Sequence, residues 1–173
     1  MMLLHMRSVL NKGGQPEFVQ TMDVSHLLAD RSEVVASGPL HINVKAQEVE
    51  GAVEVSGHLE LELTQACSRC LEQVTDKLHI PFSETFLLES AATDVNEEDD
   101  HVHVVSEDRI DLVPYIEENV VVALPYVTLC SEDCKGLCPA CGKNRNADDC
   151  GCVIERIDPR LAGLADFFKQ NDQ

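Results

Sequence analysis

The run LHINVKAQEVEGAVEVSGHLELELTQACSRC, residues 40–70, decides the fold. Leu40, Ile42, Val44 and Ala46 alternate with polar residues, and Val53, Val55, Leu59, Leu61 and Leu63 do the same after a turn at Glu50-Gly51. A period of two puts one side of each strand on a core and the other in solvent. Cys67-Ser-Arg-Cys70 closes the second strand. Val74, Leu78, Ile80 and Phe82 then mark a returning strand.

Downstream the chain changes character. Between Glu84 and Glu118 there are twelve acids and a single base, Arg109. The centre of that segment, Asn96-Glu-Glu-Asp-Asp100, reads as a solvated loop. Val102, Val104 and Val105 form a short strand after it, and His101 and His103 read as surface residues rather than ligands. Asp111 is placed to cap a helix whose buried face is Leu112, Ile116, Val120 and Leu124. Pro114 is tolerated in its first turn and Pro125 ends it. A last helix is predicted from Pro159 to Phe168, capped by Asp158.

These elements give an α+β class: an antiparallel β-sheet or open barrel-like core, one or two packing helices and a C-terminal cysteine-rich zinc module. The expected division is a core over residues 1–128 with an acidic loop near 90–108, a zinc-binding module over 129–156, and a C-terminal helix over 157–173. The 173 residues suffice to bury a core without disulfides.

The net charge is −18, from 31 acids against 13 bases. Such a field repels nucleic acid and anionic membrane and attracts basic proteins. Five Phe, two Tyr and no Trp leave few platforms for stacking bases. Met1 to Leu10 lacks a basic start followed by a long apolar run, and no stretch is long and apolar enough to span a bilayer. A reducing, cytoplasmic setting is therefore expected, where cysteine clusters signify metal or redox chemistry rather than disulfides.

Eight cysteines then carry the chemistry. Cys138-Pro-Ala-Cys141-Gly142 is a tight turn in which two thiolates grip one cation, with Gly142 supplying a positive φ after the second ligand. Cys150-Gly-Cys152 completes four soft anionic ligands, which suits zinc in tetrahedral geometry. A four-thiolate site has no open position for water, so its role is folding rather than hydrolysis. Cys67, Cys70, Cys130 and Cys134 make up a second set of four. Two other readings stay open: a free or redox-active pair at Cys67 and Cys70, and a partition that puts Cys130 or Cys134 with Cys138 and Cys141. A thioredoxin-like role for Cys67-Ser-Arg-Cys70 lacks the helix N-terminus that lowers a thiol pKa.

Taken together, the Cys-x-x-Cys closing a strand run, the helix ending in Ala-Leu-Pro, and Leu129-Cys130-Ser-Glu-Asp-Cys134-Lys-Gly-Leu-Cys138-Pro-Ala-Cys141-Gly resemble the bacterial YceD family, named for accumulation of the large ribosomal RNA subunit. Asn144, Asn146 and the closing Cys150-x-Cys152 fit as well, and the likeness runs from Val35 to the last helix. Arg145 departs from it, standing where relatives often have Leu. The resemblance implies a role in ribosome biogenesis with no catalytic activity attached. It also implies a separate role for Cys67 and Cys70, which members without the C-terminal cluster retain.

Several function classes compete on these residues. A non-enzymatic assembly factor would use its acidity on a basic ribosomal protein or a large-subunit precursor particle, with weak binding to naked RNA. Lys135, Lys143 and Arg145 are the only bases near the knuckle placed to touch phosphate. An enzyme would need paired acids in a pocket, and no phosphate-cradling or Ser/His/Asp signature accompanies them. A thiol-based zinc store or redox sensor predicts labile metal released by mild oxidant. A DNA-binding finger has too few bases and no marked recognition helix.

Overall fold

The computed structural model describes residues 1–91 and 101–152. The elements in chain order are β1 (Leu3–His5), α1 (Met6–Lys12), β2 (Glu17–Met22), α2 (Ser25–Leu28), β3 (Val34–Ser37), β4 (Leu40–Val49), β5 (Ala52–Ala66), β6 (Gln73–Leu88), β7 (Val102–Val105), β8 (Arg109–Asp111) and α3 (Val113–Ala123). The strand run of residues 40–70 is the centre of a six-stranded sheet ordered β2-β4-β5-β6-β7. β3 and β4 lie end to end along one edge of β5, β4 pairing with Ala52 to Glu60 and β3 with Leu63 to Gln65. The turn between β4 and β5 is Glu50-Gly51, closed by the Val49–Ala52 pair.

Alternation does what the pattern demands. Leu40, Ile42, Val44, Ala46, Val53, Val55, Leu59, Leu61 and Leu63 are all buried. Ile80, Phe82 and Phe86 of β6 join them, and full burial of each such side chain is worth about 1.5–3 kcal/mol before ordering entropy is counted. α1 packs on β4 and β5, and α3 packs on β6 through Ile116 and Val120. A separate two-stranded sheet, β1 with β8, ties the N-terminus to the start of α3.

The sheet stays open, as expected, with β2 and β7 as its edges. Two features differ from expectation. The sheet is mixed, because β6 and β7 are parallel; the connection over residues 89–101 is long enough to permit that return. Asp111 belongs to β8, where it pairs with Leu3, so α3 begins two residues later. Its Oδ1 accepts hydrogen bonds from the Val113 N–H at 3.1 Å and the Met2 N–H at 2.9 Å. The expected acidic loop at Asn96–Asp100 and the helix at Pro159–Phe168 lie outside the described residues.

His103 also departs from its surface assignment. Its Nε2 lies 2.8 Å from Oε2 of Glu84, a carboxylate buried at the inward-facing position between Phe82 and Phe86. Asn119 Nδ2 donates to the other oxygen at 2.7 Å, and the imidazole lies against the rings of Phe86 and Tyr115. A buried carboxylate needs such partners. Burial, then Glu84 and Glu118, push the Tyr115 hydroxyl pKa up. His101, by contrast, is 70% exposed.

Candidate metal centre

The turn between β5 and β6 and the segment after α3 each deliver half of one four-sulfur group. β5 ends at Ala66, and the chain turns tightly through Cys67–Cys70 before β6. The Leu71 N–H donates to the Cys67 carbonyl at 2.9 Å, and the Cys67 N–H to Glu72 at 2.8 Å. After α3 the chain runs back beside this hairpin tip. Ser68 N–H donates to Thr128, while Arg69 Nη1 donates to the carbonyls of Glu132 and Cys134. Cys130 and Cys134 thereby face Cys67 and Cys70.

The four Sγ atoms lie within 4.8 Å of one another, with Cys67 to Cys134 at 3.8 Å and Cys70 to Cys130 at 3.5 Å. These are not disulfides, which need sulfurs about 2.05 Å apart. Four thiolates at about 2.3 Å from a tetrahedral cation would stand about 3.8 Å apart, and the observed edges match that spacing. Cys67, Cys70 and Cys134 are buried and Cys130 is exposed, with Val74, Leu129 and Leu137 packed around them.

The second group gathers Cys138, Cys141, Cys150 and Cys152, again within 4.8 Å. Its first half is a knuckle: Gly142 N–H donates to the Cys138 carbonyl, and Cys138 N–H to Lys143, both at 2.8 Å. Gly142 has φ +74°, the left-handed value its place after Cys141 requires. Only Cys138 is buried; Cys141 and Cys152 are exposed. Cys130 and Cys134 are thus grouped with Cys67 and Cys70, not with the knuckle, and the upstream pair is half of a four-sulfur set.

Charge within each group favours a cation. Burial opposes ionisation of Cys67, yet the N–H groups of Arg69, Cys70 and Cys130 draw its pKa down to about 6. The N–H groups of Cys141 and Ala140 draw Cys138 down to about 6 as well. Cys70 goes the other way: the Glu72 N–H lowers it, but burial and the thiols of Cys67, Cys130 and Cys134 push it up to about 12. Cys141 and Cys150 push Cys152 up to about 12. One thiol of each set ionises readily, and another resists until positive charge offsets the crowding. Either tetrad can therefore hold a soft divalent metal ion.

The short stretch that joins the two groups packs on the hairpin tip. Gly136, at φ +72°, lies where an added Cβ would stand 2.9 Å from the Arg69 carbonyl oxygen. That same carbonyl accepts the Leu137 N–H at 3.0 Å. Gly136→Ala should therefore cost roughly 1–3 kcal/mol, read as a lowered urea midpoint with the metal content unchanged. Lys135, Lys143 and Arg145 are exposed on this same stretch. The contacts made from Asn144 and Asn146 back to the first group, and the Glu84–His103 pair, escaped the sequence reading. An acid at an inward-facing strand position was the available signal for the latter.

Comparison with known proteins follows the same residues. The family model described as "Large ribosomal RNA subunit accumulation protein YceD" matches residues 55–168. An uncharacterized protein of Mycobacterium tuberculosis is 35% identical over 129 residues, 75% of this chain and 62% of its own length. The match thus spans less than two thirds of that relative. The uncharacterized protein YlbN of Bacillus subtilis is 31% identical over 162 residues, covering 91% of this chain and 90% of its own. A chloroplastic Arabidopsis thaliana protein named large ribosomal RNA subunit accumulation protein YCED homolog 1 is 22% identical over 161 residues, 78% of this chain and 50% of its own. No solved structure is significantly similar. Among the described residues no helix is long and apolar enough to cross a membrane.

Proposed function

The chain belongs to the YceD family, and on that premise we propose that it is a non-enzymatic ribosome-biogenesis factor that supports accumulation of large-subunit ribosomal RNA. The family match over residues 55–168 carries this reading, and the name of the Arabidopsis relative agrees with it. Zinc is the metal we assign to both cysteine tetrads. All-thiolate donor sets with tetrahedral edges suit it, and a closed shell of four sulfurs leaves it a structural rather than hydrolytic task. Each such unit carries net −2, so two deepen the charge from −18 to −22.

That charge points to the partner. A basic ribosomal protein, or a large-subunit precursor particle presenting one, is attracted by the field that repels bare phosphate. Lys135, Lys143 and Arg145 form the one basic stretch that could position the zinc module against RNA within such a particle. The setting is the cytoplasm. Depletion in cells should lower large-subunit rRNA while small-subunit rRNA stays nearer normal, measured by quantifying both species. Equal loss of the two, or loss of neither, would remove the assignment. Affinity capture with and without nuclease separates a protein-mediated from an RNA-mediated association.

A further inference from the structure

Asn146 belongs to the loop that separates the two halves of the exposed tetrad, Cys138–Cys141 and Cys150–Cys152, yet its side chain serves the other tetrad. Its Nδ2 lies 3.2 Å from Sγ of Cys134, a ligand of the buried group. The opposite end of the same amide accepts the Lys135 N–H at 2.7 Å. A backbone N–H can only donate, so that contact fixes Oδ1 and leaves Nδ2 aimed at the sulfur. Asn144, two residues earlier, braces the loop in two ways. Its Oδ1 accepts the Asn146 N–H at 2.9 Å, and its Nδ2 donates at 2.9 Å to Glu72, the residue two places beyond Cys70. The Arg145 N–H donates to the Gly136 carbonyl, holding the loop against the stretch between Cys134 and Cys138.

We propose that Asn146 couples the two metal centres: metal in the exposed tetrad shapes the 143–149 loop, and the loop presents an amide donor that strengthens metal retention by the buried tetrad through Cys134. Coupling of this kind rests on the zinc reading above. Donation to a coordinated thiolate disperses its charge, and outer contacts of this sort change metal affinity by about 10–100-fold when removed. The loop is local to the exposed tetrad, where Cys141 and Cys152 meet solvent. Loss of that metal frees residues 143–149 and withdraws the donor from a sulfur that is itself buried. Linkage makes the effect reciprocal: whatever factor the exposed metal adds to retention at the buried site, the buried metal returns. Metal at either centre therefore slows release from the other, while each centre can still empty on its own. A shortage of zinc felt first at the exposed knuckle reaches the joint between the sheet and α3.

The full-length, zinc-loaded chain tests this by release of metal to excess pyridylazoresorcinol. Wild type should release zinc in two phases, fast from the exposed tetrad and slow from the buried one. Cys152→Ser should remove the fast phase and accelerate the release that remains. Asn146→Ala should retain both metals before chelation and accelerate the slow phase about 10–100-fold. Asn146→Asp keeps an oxygen for the Lys135 N–H but loses the donor, so it should accelerate the slow phase as Ala does. A slow phase unchanged in Asn146→Ala, or unchanged in Cys152→Ser, overturns the coupling. A wild-type slow phase in Asn146→Asp also overturns it, leaving Asn146 as a loop brace only. Absence of zinc from freshly purified, unchelated wild type would instead defeat the zinc reading, and the coupling with it; two equivalents with unaltered kinetics defeats the coupling alone.

Discussion

Cys67→Ser should reduce bound zinc by one equivalent and open the joint between the β5–β6 hairpin tip and the chain after α3, while the central sheet stays folded. The reason lies in how the buried tetrad is assembled. Two ligands come from the hairpin and two from residues sixty or more positions away, and Cys67 Sγ faces Cys134 Sγ at 3.8 Å. The small apolar shell of Val74, Leu129 and Leu137 is distinct from the main core of β4, β5, β6, α1 and α3. Among the described residues the rest of the joint is a handful of hydrogen bonds: the Ser68 and Leu137 amides, Arg69 reaching two carbonyls, Thr128 donating to Gln65 and Asn144 donating to Glu72. Apparent zinc binding by structural sites is worth about 10–16 kcal/mol in peptides that fold around the metal, as much as the whole stability of an ordinary domain, about 5–15 kcal/mol.

Hydrogen exchange should therefore show the amides of Ser68, Leu71 and Leu137 losing protection in Cys67→Ser, while Ile42 and Leu59 in the sheet keep theirs. Cys138→Ser should remove the other equivalent and spare the buried tetrad's ligands. Metal analysis provides the count. Unchanged stoichiometry in Cys67→Ser would return Cys67 and Cys70 to a free pair, and the sulfur spacing would need another cause.

Much of this was legible in the chain because period-two alternation is a strong signal. The inward set from Leu40 to Leu63 is buried without exception, and Leu112, Ile116, Val120 and Leu124 line the buried side of the segment around α3. Both cysteine tetrads were within reach of spacing and arithmetic, though spacing left their partition open. Geometry resolves the grouping, because only the return of the chain after α3 brings Cys130 and Cys134 to the hairpin tip. Residues 1–35 gave little: β1, α1 and β2 are short, and β1 exists as a strand only through its distant partner β8. The parallel β6–β7 pair was equally hidden, since alternation specifies faces and not direction. Glu84 shows the cost of reading acids as surface by default. Its place between Phe82 and Phe86 is inward, and Asn119 and His103 complete it from elsewhere in the sequence.

Association with a basic partner should be the property most sensitive to salt, and the acidic run should set its rate. At −18 before metal and −22 with two zinc-thiolate units, the chain opposes phosphate at almost every approach. Steering of this kind raises association rates by about 10–10³-fold at low ionic strength, and the gain fades as the Debye length contracts to about 8 Å in physiological salt. Glu97, Glu98, Asp99 and Asp100 are four consecutive acids, the densest charge in the sequence. Changing them to Gln and Asn should slow capture of a basic ribosomal protein by about tenfold at low salt, with a smaller change in dissociation, because steering charges act on encounter rather than on residence. Circular dichroism and thermal unfolding of the variant should match wild type. Stopped-flow association across a salt series separates the outcomes. If the variant folds, associates at the wild-type rate and fully restores large-subunit rRNA in depleted cells, the run only solubilises the protein. If wild type instead binds naked large-subunit rRNA at nanomolar concentration in physiological salt, the attraction of basic protein is not the governing force. The contact surface would then shift to Lys135, Lys143 and Arg145 beside the two metal centres, and charge removal at those three should reduce binding together with the slope of affinity against salt.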